Sequence, residues 1–199
     1  MGKIFYLMGK SSTGKDTIYK FILKENKFKL RKIVPYTTRP IREGEENGRE
    51  YNFIDDAEVE RLGIAGKIIE LRAYNTFHGT WRYMTVDDGR IKLDSHNYII
   101  IGTLESYKRT VDYYGQEAVV PIMVEVDNGV RLQRALNRER NQENPKYQEM
   151  CRRFLADEED FSPERMKEAN ITRIFVNDNL TTCISEIEDY IEANLEPIK

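Results

Sequence analysis

Ile4-Phe5-Tyr6-Leu7-Met8 is an unbroken apolar run, of the length expected for a strand covered on both faces. Similar runs recur over residues 98–102 and 118–126, with shorter ones at Lys32-Ile33-Val34 and over residues 171–176. Between them, apolar residues fall at helical spacing over residues 17–25, 103–114, 129–140, 146–159 and 181–195; the last places Ile184, Ile187, Tyr190 and Ile191 on one face. Strands alternating with helices predict an α/β fold: a parallel sheet with right-handed crossovers. Pro121 interrupts one run and is expected where no ladder bond is required. Residues 35–83 and 137–147 break the rhythm. Within the first, a short helix is expected over 56–62, and residues 67–71 and 74–83 read as strands or a hairpin, with the turn at His78-Gly79. Both stretches then lie over the C-terminal edge of the sheet, where ligands bind in open α/β folds.

Composition narrows this picture. The chain has 199 residues, 40% hydrophobic and 33% charged, which fits one sizeable soluble domain. Its net charge of −3 argues against a general polyanion-binding surface, so no nucleic-acid partner is expected. No apolar run reaches membrane-spanning length, and the first residues lead into a strand without a signal-peptide pattern, so no membrane partner is expected either. Cys151 and Cys183 read as free thiols in a reducing cytoplasm.

Candidate chemistry begins at the end of the first run. Gly9-Lys10-Ser11-Ser12-Thr13-Gly14-Lys15-Asp16-Thr17 joins a buried strand to a helix start, the context of a phosphate-cradling P-loop. Gly9 and Gly14 permit close backbone approach, and Lys15 supplies an ammonium for a transferred phosphate. The pattern asks for Ser or Thr after the lysine, to ligate magnesium. Here that residue is Asp16. Arg131, Arg134, Arg138 and Arg152 or Arg153 recur across a helix, a polar break and a second helix, as arginines of a closing lid would.

The other informative stretch runs from Tyr36 to Phe53 and carries Thr37, Thr38, Arg39, Arg42, Gly44, Glu45, Gly48, Tyr51 and Phe53. Arginines three apart, with threonines before and a tyrosine after, can surround one phosphate. Their order and spacing after the P-loop resemble the guanylate kinase family, and the likeness extends through Glu70, Gly79-Thr80, Arg134, Arg138 and the run from Phe175 to Leu180. That resemblance implies a three-layer P-loop kinase core (residues 1–34, 84–128 and 156–199), a mixed α+β monophosphate-binding insertion (35–83) and a helical lid (129–155). It implies transfer of the ATP γ-phosphate to GMP with magnesium, by a cytoplasmic monomer or weak homodimer. Lys15, Arg39, Arg134 and Arg138 would then be catalytic. Gly9, Ser11, Ser12, Thr13, Gly14, Lys15, Asp16, Thr17 and Asn177 would bind ATP; Arg39, Arg42, Tyr51, Glu70, His78, Thr80 and Thr103 would bind GMP.

Three positions depart from the family pattern. Pro35 stands where a base-contacting serine is expected, and Ile101 and Thr103 where two aspartates are expected. An acid is lost from the strand end and one has gained a place at Asp16, so Asp16 is expected to organise the metal, with Glu105 a second candidate. The Gly-Lys-Asp-Thr loop also resembles ribose 1,5-bisphosphate phosphokinases. Two alternatives therefore stand beside GMP phosphorylation: the same chemistry on that sugar phosphate or another nucleoside monophosphate, and a non-catalytic interaction module of the same fold.

Overall fold

The computed structural model describes residues 1–76 and 79–195. The first run forms β1 (Ile4–Met8), with every residue buried. Its side chains alternate between faces, as strand geometry requires. Phe5 and Leu7 join a core under α1 (Lys15–Glu25) and α7 (Leu180–Asn194) that includes Ile18, Ile99, Val124, Phe175, Ile187 and Ile191. Ile4, Tyr6 and Met8 face the opposite core, with Leu104 and Tyr107 of α3 (Leu104–Tyr114). One sheet between two helical layers is the result.

That sheet has five strands, all parallel, in the order β2 (Arg31–Lys32), β7 (Tyr98–Gly102), β1, β8 (Val119–Glu125) and β9 (Ile174–Val176). β9 pairs only with Met123, Val124 and Glu125, so Pro121 lies ahead of that ladder, as expected. A second sheet of order β4 (Asn52–Phe53), β3 (Tyr36–Thr37), β6 (Gly79–Val86) and β5 (Ile68–Thr76) packs on α2 (Asp56–Ile64) around Val59, Leu62, Met84 and Val86. Of the two readings of this stretch, separate strands or a hairpin, the antiparallel β5–β6 pair is the hairpin: β5 continues to Thr76, pairing residue by residue with β6 from Glu70 on, after a register shift between Ile68 and Glu70. The expected turn at His78 lies outside the described residues.

Two helices follow β8. α4 (Asn128–Arg140) is capped by Asp127, whose carboxylate accepts from Gly129 and Val130 N–H, and α5 (Tyr147–Asp160) runs back toward the core. A six-residue helix, α6 (Pro163–Glu168), went unforeseen; it starts on a Ser162 cap with proline in its first turn. Cys151 is exposed and Cys183 buried, both as free thiols. Among the described residues no helix is long and apolar enough to cross a membrane.

Candidate active site

The glycine loop follows β1 without a break. Gly9 and Gly14 have φ of 153° and 92°. A Cβ on Gly9 would stand 2.3 Å from the Val124 carbonyl oxygen, and one on Gly14 the same distance from the Asn177 side chain. Glycine is required at both positions on space as well as conformation. Asn177 is buried and donates through Nδ2 to the Thr13 carbonyl at 2.7 Å, so it braces the loop from behind. Thr13 is also buried, while Asp16 and Thr17 are exposed in the first turn of α1. The Ser12 hydroxyl is buried with no protein partner, an orphan that an anion in the loop would satisfy.

Lys15 is nearly enclosed. Its ammonium donates to the Lys10 carbonyl at 3.4 Å and lies 4.0 Å from Asp16 Oδ2. Burial pushes its pKa below the ordinary 10.5, with Arg138 and Arg131 adding to that and Asp16 and Asp157 opposing it. Arg134 reaches the Asn177 carbonyl at 3.3 Å beside the loop, whereas Arg138 is exposed. Arg152 and Arg153 are also exposed and share Glu149, whose carboxyl their hydrogen bonds hold down at about 2.

An acidic pair from α5 closes on the same loop. Asp157 Oδ2 accepts from the Ser11 amide at 2.7 Å, and Glu158 accepts from Lys10 Nζ at 2.8 Å. Arg131, 1% exposed, holds both acids, donates to the Ser11 carbonyl at 3.1 Å and lies 4.5 Å from the Phe154 ring centre. A cavity of about 290 Å3 opens beside this knot, lined by Lys10, Thr13, Asp127, Arg131 and Val176.

The second cluster sits on the four-stranded sheet. Arg39 is 3% exposed; its guanidinium forms two parallel bonds to Glu45, at 2.8 and 3.0 Å, over the Tyr51 and Phe53 rings. Glu45 also accepts from the Arg42 amide at 2.8 Å, which fixes the turn carrying both arginines. Those bonds from Arg39 hold the Glu45 carboxyl below its usual range. Tyr51 packs edge-on against Tyr83. Thr80 is exposed and donates to Asn75 at 2.9 Å.

Glu70 is buried at the foot of β5. It accepts from Thr85 Oγ1 at 3.0 Å and from Arg72 Nε at 2.9 Å. Thr103 caps α3 in a capping box with Ser106 and accepts from Arg72 Nη1 at 3.4 Å. Glu105, one residue inside α3, lines a cavity of about 350 Å3 with Tyr74 and Thr103. Met8 and Gly102 are partners in the parallel ladder of β1 and β7. The glycine loop and the Thr103 cluster therefore leave neighbouring strand ends.

Comparison with known proteins agrees with this geometry. The guanylate kinase family model matches residues 1–194. The chain belongs to the guanylate kinase family. The guanylate kinase of Symbiobacterium thermophilum is 31% identical over 198 residues, covering 96% of this chain and 85% of that protein. Shorter matches join it to the guanylate kinases of Mycoplasma pneumoniae, 38% identical over 80 residues, and Oleidesulfovibrio alaskensis, 41% over 81. Those shorter matches span about a third of the relatives' own length, 34% and 38%. The fold is that of a crystallised guanylate kinase from Anaplasma phagocytophilum: TM-score 0.63 at 20% identity, over 98% of this chain and 87% of that one. By family the protein is thus a nucleoside monophosphate kinase.

Sequence reading found the glycine loop, Arg39 and Glu70. It missed Arg72, Thr85, Asp157 and Glu158 as parts of these clusters. Arg72 was open to detection, because it alternates with Glu70 on one face of a strand.

Proposed function

We propose that the protein transfers the γ-phosphoryl group of ATP to GMP, giving ADP and GDP. A GMP phosphate oxygen attacks the γ-phosphorus, the bond to the β-phosphate oxygen breaks, and ADP leaves. The observation that carries this reading is the adjacency of the glycine loop after β1 and the Glu70–Thr103 cluster at the end of β7, held by the Met8–Gly102 pairing. Donor and acceptor groups bound there would face one another across neighbouring strand ends.

In this scheme Lys15 and the loop amides hold the β- and γ-phosphates, and Ser12 offers its unpartnered hydroxyl. Arg39, Arg42 and Tyr51 hold the GMP phosphate, and Thr80 offers its hydroxyl to the base; His78, a further donor to that phosphate on the family resemblance, lies outside the described residues. Glu45 stiffens Arg39 so that its remaining donors face one way. Glu70 accepts from a ring N–H of the base. Arg134, already against the loop, and Arg138, carried on the same helix, neutralise charge as α4 and α5 close like a lid.

Magnesium, if bound, would supply positive charge to offset that of the phosphates. Among the described residues no three His, Cys, Asp or Glu side chains converge. One exposed carboxylate beside the loop is enough for an ion that keeps most of its waters and takes the rest of its ligands from phosphate. Asp16 fits that description, with the Thr17 hydroxyl beside it. Asp16→Ser should shift the magnesium requirement in a titration of rate; an unchanged requirement would remove Asp16 from the metal site.

A coupled assay for ADP over GMP, AMP, dTMP, UMP and ribose 1,5-bisphosphate tests the whole reading. GMP should give the highest kcat/KM. A higher value for the sugar bisphosphate would move the acceptor assignment, and no turnover with any of them would leave a binding module.

A further inference from the structure

Glu70 and Arg72 leave the same face of β5 and form an ion pair with side-chain exposures of 2% and 18%. An ion pair this buried is poor value for stability alone, because desolvation offsets most of its attraction. Its surroundings point to recognition. Arg72 has five N–H donors. Nε reaches Glu70 Oε2 at 2.9 Å, Nη2 reaches Oε1 at 3.3 Å, and Nη1 makes a long contact with Thr103 Oγ1 at 3.4 Å. Thr85 takes a further place on Oε1 at 3.0 Å.

The accounting leaves a particular pattern. A carboxylate has about four acceptor sites, and Glu70 keeps one after Arg72 and Thr85 are served. Arg72 keeps two N–H groups beyond the three bonds above. The end of β7 offers Ile101 and Thr103, with no carboxylate to absorb them. Among the described residues, one acceptor site on a buried carboxylate therefore stands beside two N–H groups of a mostly buried guanidinium. This is the complement of a lactam edge, an N–H next to a carbonyl.

We propose that Arg72 is a specificity-determining residue of the acceptor site, donating to the carbonyl oxygen of an oxo-base whose adjacent ring N–H is accepted by Glu70. The inference rests on the nucleotide-kinase reading above and deepens it. It selects 6-oxopurine monophosphates. With the acceptor's phosphate anchored at Arg39, Arg42 and Tyr51, the base cannot turn over to exchange the two contacts. Adenine presents the reverse order, an acceptor ring nitrogen beside an amino group, and so leaves both Glu70 and Arg72 facing like groups. Buried polar groups left unpaired are what a site uses to reject the wrong ligand.

Steady-state kinetics of the wild type, Arg72→Gln and Arg72→Lys with GMP, IMP, AMP and 2-aminopurine riboside 5′-monophosphate test this. The last lacks both the carbonyl oxygen and the ring N–H. The wild type should favour GMP and IMP over the other two. Arg72→Gln should lower kcat/KM for GMP and IMP by about a hundredfold, the scale set by an unmet buried hydrogen bond to a charged group, while changing the 2-aminopurine analogue only a few-fold. Arg72→Lys should recover part of the loss, because its ammonium can still reach the oxygen. A merely structural role would lower all four acceptors by one common factor in both variants, and that result would overturn the proposal. GMP turnover with an unchanged GMP to 2-aminopurine ratio in Arg72→Gln overturns it while leaving the kinase reading intact. No ADP formed by the wild type with any acceptor sinks both.

Discussion

Lys15 carries a positive charge that its surroundings oppose. Burial lowers its pKa from the ordinary 10.5, and the cationic form is the one that holds phosphate. Binding is therefore fully supported below that lowered pKa and lost as pH rises through it. The alkaline limb of kcat/KM for ATP should fall at a lower pH than a free lysine allows, since that parameter reports the free enzyme. Lys15→Arg should displace the limb upward, and an unmoved limb would assign it to another group. Lys15→Ala should cost on the order of a hundredfold or more in kcat/KM, with the melting temperature nearly kept. At Glu45 the sign runs the other way. Its carboxyl is depressed by the Arg39 bonds, so the stability it contributes is present above the unfolded pKa and disappears as pH falls through the folded one. Glu45→Gln should flatten the acid side of the stability profile and raise KM for the acceptor, because Arg39 loses its bidentate brace.

At the scale of elements, a buried arginine on α4 joins the direct Asp157–Ser11 and Glu158–Lys10 contacts of α5 in tying both helices to the glycine loop. Arg131 joins Asp157, Glu158 and Ser11 through bonds that a closing or opening lid must keep or break together. Removing one partner of a buried pair costs roughly 3 kcal/mol; here the acids are 18% and 35% exposed and regain some hydration, so Arg131→Ala should fall near that figure or below it in a denaturant titration. Asp157→Asn asks a different question. It preserves an acceptor for the Ser11 amide but removes a negative charge near Lys15 and the phosphate position. KM for ATP should fall, by about fivefold at most, the factor that roughly 1 kcal/mol of partly screened charge interaction gives. A rise in KM would instead make Asp157 part of the ATP site.

Over the whole molecule, what could be read in the sequence was what is local. The β1, β7 and β8 runs are continuous apolar segments because both faces of those strands are covered, and the glycine loop is contiguous with the first of them. Arg39 and Glu70 were legible through the spacing of a known pattern. The rest depends on contacts between distant residues. Ser11 and Asp157 are 146 positions apart, and no periodicity links them. β5 reads as two pieces until its pairing with β6 is known, and α6 is too short to show a period. Asp16 lies exposed beside the loop, 4.0 Å from Lys15. The central claim is the transfer itself, and 31P NMR of the protein with ATP, magnesium and GMP measures it most directly. GDP and ADP should appear in equal amounts, with no free phosphate released, and both should form on the order of a hundredfold or more slowly with Lys15→Ala. ADP accompanied by inorganic phosphate instead of GDP, or no change in the ATP resonances, would contradict it.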